Sequence, residues 1–337
     1  MHISFASILT VAALVGLASA KKHDDHGHKE HKPKVPKGKA FDHILQIWFE
    51  NTNFNDANST PGFSKLLKKG ILLDNFNAVT HPSEPNYVAA GGGSNFGIDD
   101  DDYYNIPAHV PSIFDLIENK GLTWKCYQED IPSVGYTGDK AGDYVRKHNP
   151  AVSFDAVGLN ATRLKNIVGH DQFVKDIHND KLPNWMFYTP NMKNDAHDTN
   201  ISYAGNWLDN FYKKTLDHPN LLKKTLVMIT FDENASFPQR NRVWTLLFGD
   251  IPKKLRGTID HTFYTHFSTL STVEHNWDLG NLGQQDVNKT VSNVFKHTAK
   301  ALKYKNIHIA DKDVPWSNNT ITGLMTGKSY NDTQKAI

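Results

Sequence analysis

Five short runs of apolar residues, at 44–49, 122–127, 185–188, 226–231 and 243–248, constrain this chain more than any other feature. Each is nearly continuous in aliphatic, β-branched or aromatic residues, the pattern of strands covered on both faces. Between them lie stretches with helical spacing, at 62–69, 112–119 and 203–216. Ser112 with Asp115 three positions on resembles a capping box, and Gly121 supplies a stop. Strands alternating with helices predict an α/β chain built as three layers, α/β/α, around one central, mostly parallel sheet.

The residues at the carboxyl ends of these runs carry the next signal. The first run ends in Glu50-Asn51, the third leads shortly to Asn194-Asp195-Ala196-His197-Asp198, and the fourth ends in Asp232-Glu233-Asn234. In open parallel sheets ligands bind beyond the carboxyl ends of the strands, so three strands would deliver acids and a histidine to one edge. Carboxylates gathered there repel one another unless a cation sits among them. Glu50, Asn51, Asp232 and Glu233 offer oxygen only, which suits Mg²⁺, Ca²⁺ or Mn²⁺. Asp195, His197 and His266 would add imidazole and carboxylate, more congenial to Zn²⁺ or to direct contact with phosphate. Taken singly, His197 and His266 would equally serve as ordinary structural histidines.

Thr80-His81-Pro82-Ser83-Glu84-Pro85-Asn86-Tyr87, leading to Gly91-Gly92-Gly93, is a second constellation. Two prolines shape a sharp turn around Ser83, and the small residues allow a helix start to pack closely, its N–H groups facing an anion. A serine hydroxyl becomes a useful nucleophile beside a base or a metal. The same residues would serve equally as a Pro-rich surface turn with Ser83 as a cap.

The termini read differently from this body. Residues 1–20 carry an apolar stretch ending in Ala18-Ser19-Ala20, the pattern of a cleaved signal peptide. Residues 21–40 are rich in His and Lys and too polar to fold alone; they form either a metal-collecting tail or a solvated spacer. The body is expected over 41–305, with a polar extension over 306–337. Asn58, Asn160, Asn200, Asn234, Asn288, Asn318 and Asn331 are N-glycosylation acceptors, consistent with secretion to the cell exterior or the cell wall. The only cysteine, Cys126, excludes an internal disulfide, so a core must hold the body together. A formal net charge of +1 gives no reason to expect nucleic acid as a partner, and no stable membrane anchor is expected either. Composition leaves the oligomeric state open.

Several motifs in order resemble the phosphoesterase family of fungal secreted acid phosphatases, related to bacterial phospholipases C. They are Trp48-Phe49-Glu50-Asn51, His81-Pro82-Ser83-Glu84-Pro85-Asn86-Tyr87, Trp124 with Tyr127, Glu129 and Pro132, Lys147-His148-Asn149-Pro150, Pro190-Asn191-Met192 with Asn194-Asp195 and His197-Asp198, Thr230-Phe231-Asp232-Glu233, and Tyr264-Thr265-His266 with Ser268, Glu274 and Trp277. The resemblance implies an alkaline-phosphatase-like fold and a divalent metal ion, Mg, Ca, Mn or Zn. It implies metal ligands at Glu50, Asn51, Ser83, Asp232 and Glu233, with Ser83 and His197 as catalytic residues. His81, Asn86, Asp195, His197 and His266 would contact a small phosphate-ester substrate. The implied activity is acid hydrolysis of phosphate monoesters through a phosphoserine, since histidines bind phosphate as cations below about pH 6.5. After Ser83 come Glu84-Pro85-Asn86 rather than the x-Pro-x-Arg of sulfatases, which argues against formylglycine chemistry. The alternatives are a phospholipase C-type phosphodiesterase and, in another class, a secreted metal-binding glycoprotein.

Overall fold

A computed structural model describes residues 37–316 and 322–327. The expected signal peptide, most of the His/Lys-rich segment, Asn318 and Asn331 lie outside the described residues. Nine strands form one sheet: β1 His43–Phe49, β2 Ile71–Asn77, β3 Trp124–Gln128, β4 Ile167–Val168, β5 Trp185–Thr189, β6 Thr225–Phe231, β7 Arg242–Gly249, β8 Thr258–Asp260 and β9 Tyr264–Thr265. Their order is β8-β2-β7-β6-β1-β5-β3-β4, with β9 also paired to β2. The five expected runs are all strands, with ends shifted by no more than two residues.

One strand departs from the parallel expectation. β7 runs antiparallel to both β6 and β2. The link from β6 to β7, residues 232–241, contains no helix, and a parallel return needs a crossover long enough to span the sheet. β2 has no counterpart among the expected runs because Asp74, Asn75 and Asn77 interrupt its apolar pattern. The expected helix at 62–69 is instead a short turn of helix, Pro61–Ser64, and then a 3₁₀ turn, Leu67–Lys69.

Helices cover both faces, and the pleat decides which side chains they meet. On one face lie α1 Ser83–Gly92, α2 Ile113–Asn119 and α5 His266–Trp277; on the other lie α3 His170–His178 and α4 Ile201–Phe211. Trp48 of β1 packs on Tyr87 of α1 and on His266 of α5. Its neighbour Phe49 points the other way, onto Phe63 and onto Trp207 of α4. Likewise Trp185 of β5 meets Phe114 of α2, whereas Tyr188 meets Phe211 of α4. Every residue of β1, β5 and β6 is buried, which is why these three read as nearly continuous apolar runs.

The capping box at the start of α2 forms, with the Ser112 N–H donating to Asp115 at 2.8 Å. α4 starts at its cap Asn200, whose side chain accepts from the Tyr203 N–H, and runs into a π turn, Tyr212–Leu216. α1 ends at Gly93, in the left-handed region at φ +72°, a conformation that glycine adopts without strain. Residues 306–316 and 322–327 lie against the body: the Met325 N–H donates to the Phe96 carbonyl at 2.7 Å, and the Asn241 N–H to that of Trp316 at 3.1 Å. No helix of the described residues is long and apolar enough to cross a membrane.

Candidate active site

Strand order places three acidic residues together. β5, β1 and β6 are neighbours and parallel, so their carboxyl ends share one edge of the sheet. Phe49 pairs with Phe231, which puts Glu50 beside Asp232. The Asp232 N–H donates to the Phe49 carbonyl, and the Glu50 N–H to the Asp195 carbonyl, each at 2.9 Å. Backbone hydrogen bonds thus hold Asp195, Glu50 and Asp232 side by side, and all three are buried.

Ser83 is the first residue of α1, entered through a cis His81–Pro82 bond. Its hydroxyl donates to Glu50 Oε2 at 2.9 Å, while the Tyr87 hydroxyl, one helical turn on, donates to Glu50 Oε1 at 2.7 Å. Ser83 also lies close to Asp232, but its single proton is turned to Glu50, and neither Asp232 oxygen has a well-formed hydrogen bond. Asp195 Oδ1 accepts from the His197 N–H at 2.8 Å, and its Oδ2 has no hydrogen-bond partner.

His148 stands over this group, and its functional weight is not apparent from its place in the motif Lys147-His148-Asn149-Pro150. A 3₁₀ turn, Arg146–His148, carries the buried ring to 3.2 Å from Glu50 Oε1 and 3.6 Å from Asp195 Oδ2. Ligand atoms of Glu50, His148 and Asp195 lie within 4.8 Å of one another, a buried set able to hold a metal ion. The sequence signal was the motif itself; what was missing was a reason to place a residue outside the strands at their carboxyl edge.

The electrostatics derive from burial. Burial raises Glu50 above the usual carboxylate range; burial, then Glu50, raises Asp195 well above it; burial, then Glu50 and Glu233, does the same to Asp232. Burial also pushes Glu233 up to about 7, although His81 opposes the shift. His148 is driven well below its ordinary value by burial and by the charges of Lys147 and His197, leaving the neutral imidazole that metal ligation needs. Lys147 Nζ sits 2.8 Å from Asp101 Oδ2 and 3.5 Å from His197 Nε2, so two nitrogens converge at the rim. Burial depresses the Lys147 amine, but Asp101 and Glu50 outweigh it and the net shift is upward.

The remaining expected residues take distinct places. Glu233 has partners on both oxygens: His81 Nδ1 lies 2.9 Å from its Oε2, and the exposed Asn51 amide donates to its Oε1. His197, partly exposed, holds Asp198 through Nδ1 at 2.8 Å. The Asn86 amide accepts from the Val79 and Thr80 N–H groups and donates to the Thr80 and Pro82 carbonyls, which fixes the turn before Ser83, and its Nδ2 also reaches Glu233 Oε2 at 3.5 Å. His266 lies under the site, stacked on Trp48, with Nε2 donating to the Asp232 carbonyl at 2.7 Å. Burial lowers its pKa to about 4, so it serves as a neutral support.

Among the glycosylation acceptors, Asn160, Asn200 and Asn288 are exposed and Asn58 is half-buried. Asn234 differs: it is buried, and its Nδ2 donates to the Ser236 and Arg240 carbonyls, so the folded chain does not present this acceptor to an oligosaccharide.

A model of the phosphoesterase family matches residues 39–280. A phosphate-repressible acid phosphatase of Penicillium chrysogenum is 44% identical over 300 residues, 87% of this chain and 72% of that protein. A probable acid phosphatase of Kluyveromyces lactis is 44% identical over 280 residues, 81% of this chain and 66% of that protein. Among solved structures, a protein in the alkaline phosphatase superfamily from Vibrio parahaemolyticus aligns with TM-score 0.49 and 12% identity, over 74% of this chain and 70% of that one. A Bacteroides thetaiotaomicron structure from work on glycosaminoglycan metabolism aligns with TM-score 0.51 and 9% identity, over 79% and 82%. The last likeness bears on fold alone, and it agrees with the three-layer α/β arrangement expected from the sequence. With a family model spanning most of its length and fungal relatives this similar, the chain belongs to the phosphoesterase family.

Proposed function

We propose that this chain is an acid phosphatase that hydrolyses small phosphate monoesters through a phosphoserine on Ser83. The observation that carries the reading is the Ser83 hydroxyl at 2.9 Å from Glu50, at the start of a helix and beside a buried Asp232 carboxylate with no well-formed hydrogen bond. Orphaned buried oxygens on Asp232 and Asp195, three carboxyl groups with raised pKa and a neutral imidazole form a donor set that fits a divalent cation. Glu50, Asp195, Asp232 and His148 would hold it, with Ser83 alongside. Asn51 and Glu233, expected as ligands, are bonded to each other and support the set from outside. The imidazole favours Zn²⁺ over a purely oxygen-seeking ion. When bound, such an ion supplies positive charge that neutralises the carboxylates and favours the deprotonated serine.

The chain's own residues supply the rest. Glu50 takes the Ser83 proton as Oγ bonds to phosphorus and the bond to the leaving alcohol breaks. Lys147 Nζ and His197 Nε2, converging at the rim, bind phosphoryl oxygens and stabilise their growing charge. The departing oxygen takes a proton from solvent; water then attacks phosphorus, the bond to Ser83 Oγ breaks as Oγ takes back the proton held on Glu50, and phosphate is released. Export through residues 1–20 and glycosylation at the exposed acceptors belong to the same proposal.

The test is hydrolysis of p-nitrophenyl phosphate against bis-p-nitrophenyl phosphate from pH 3 to 8, with and without EDTA. Monoester hydrolysis at acid pH that is lost with chelator supports the reading. Preference for the diester would replace it with a phospholipase C-type activity. No hydrolysis by folded protein supplied with divalent metals would favour a metal-binding glycoprotein.

A further inference from the structure

A cleft of about 270 Å³ opens beside the active site, lined in part by Asn53, Phe54, Asn234, Arg240 and Arg242. Two of these residues tie it to the catalytic edge. Asn234 comes directly after Glu233, and Asn53 lies two residues beyond Asn51, within about 7 Å of chain. The loop that closes it also touches the site, since Phe237 stacks on His81 with ring centroids 4.1 Å apart. The volume lies just under the ~300 Å³ at which ordinary small-molecule sites begin, so the cleft takes part of a substrate and not the whole.

Its lining has a specific chemistry. Asn234 is buried, and its Nδ2 donates to two backbone carbonyls, so Oδ1 is the atom left over; that oxygen has no hydrogen-bond partner. Asn53 repeats the pattern: Nδ2 points to Asp56 Oδ2 at 3.4 Å, and its buried Oδ1 is unpartnered. Two buried acceptors without donors call for hydroxyl groups. The Arg242 guanidinium lies over the Phe54 ring, its Cζ 4.0 Å from the ring centroid. Arg240 donates to Asn75 Oδ1 at 3.1 Å; burial and then the charge of Arg242 lower its pKa, while Asp311 and Asp74 act the other way. Two guanidiniums line this cleft, and planar forks suit phosphate.

We infer that this cleft is a leaving-group subsite for polyhydroxylated phosphate esters carrying a second phosphate, such as a sugar bisphosphate. Arg240 and Arg242 bind the second phosphate, and Asn53 and Asn234 accept from the hydroxyl groups, while the scissile phosphate faces Ser83. The inference rests on the phosphatase reading, and the experiment separates the two. Wild type, Arg240→Gln and Arg242→Gln are compared on fructose 1,6-bisphosphate and on p-nitrophenyl phosphate, whose leaving group carries neither hydroxyls nor a second phosphate. Each substitution should lower the ratio of kcat/KM for the bisphosphate to that for the aryl ester at least tenfold, mainly through KM. Asn53→Ala, which removes an acceptor and no charge, should lower the same ratio about threefold. A ratio unchanged in the arginine variants, or both substrates lost in proportion, overturns the subsite while leaving the phosphatase reading intact. A wild-type protein that hydrolyses neither ester overturns the phosphatase reading and the subsite with it.

Discussion

α5 joins two buried acidic groups that resolve the same difficulty in opposite ways. At its first residue, His266 supports Asp232 and the cluster of Glu50, Asp195 and Asp232. Eight residues on, about 12 Å along the axis, Glu274 faces Asp286 in an equally buried setting. Asp286 spends its oxygens on the Leu282 and Gln284 N–H groups at 2.8 and 2.7 Å. Glu274 answers by keeping its proton: burial first, then Asp286, pushes its pKa up to about 9. The cluster of Glu50, Asp195 and Asp232 instead has the Lys147 amine and the His197 imidazole at its rim, the Ser83 hydroxyl against Glu50, and carboxylate oxygens without well-formed bonds. A proton is enough at Glu274, whereas the oxygens left without well-formed bonds around Glu50 are those a cation would need.

The widest gap between the two groups is expected in activity. Ser83→Ala should reduce kcat on p-nitrophenyl phosphate at least ~10³-fold, as loss of a hydrolase nucleophile does. Its melting temperature should stay within about 2 °C of wild type; a variant with normal turnover would remove Ser83 from the mechanism. Next, Asp232→Asn should cost about 10²-fold or more in kcat yet raise the melting temperature of EDTA-treated protein, because a buried carboxyl whose ionisation the fold opposes becomes a neutral amide. A lower melting temperature in chelator would mean that the cluster is stable without a cation, and the contrast with Glu274 would collapse.

Lys147→Met sharpens the rim side of the comparison. It should lower kcat/KM about tenfold or more and make chelated protein less stable, since Glu50 and Asp232 both feel that charge. An effect on stability alone would leave Lys147 a structural cation. The smallest change is expected at the other end of α5. Between pH of about 4.5 and about 9 the native state holds a proton on Glu274 that the unfolded chain releases, so stability falls as pH rises through that window. Glu274→Gln should therefore melt higher than wild type at pH 7, with the difference vanishing near pH 4 and activity unchanged within twofold. A stability gain that is the same at both pH values would show that Glu274 is not held protonated.

Much of this was legible from residue order. The runs at 44–49, 185–188 and 226–231 announced three central strands because their residues are buried on both faces. Glu50 and Asp232 could be placed at one sheet edge because each comes directly after such a run. β7 was legible as a strand but not in its direction, which depends on how 232–241 turns back. His148 hid in a 3₁₀ turn with no periodicity to mark it. Asn86 holds the Ser83 turn through backbone bonds that no motif announces, and Asn234, marked as a glycosylation acceptor, is buried; a tripeptide pattern says nothing of burial.

By itself the sequence determined the α/β class, the sheet's central strands and the acids at their carboxyl ends, all consequences of local pattern and spacing. It also determined that no disulfide would hold the body together, since Cys126 is alone. Only the tertiary structure decided which of those acids meet. Asp195, Glu50 and Asp232 come together through the register of β5, β1 and β6, and His148 joins them through a turn packed above the edge. Which oxygens remain free to hold a cation is a property of contacts between residues far apart in the chain. Such contacts form only when the layers pack, and local pattern does not encode them.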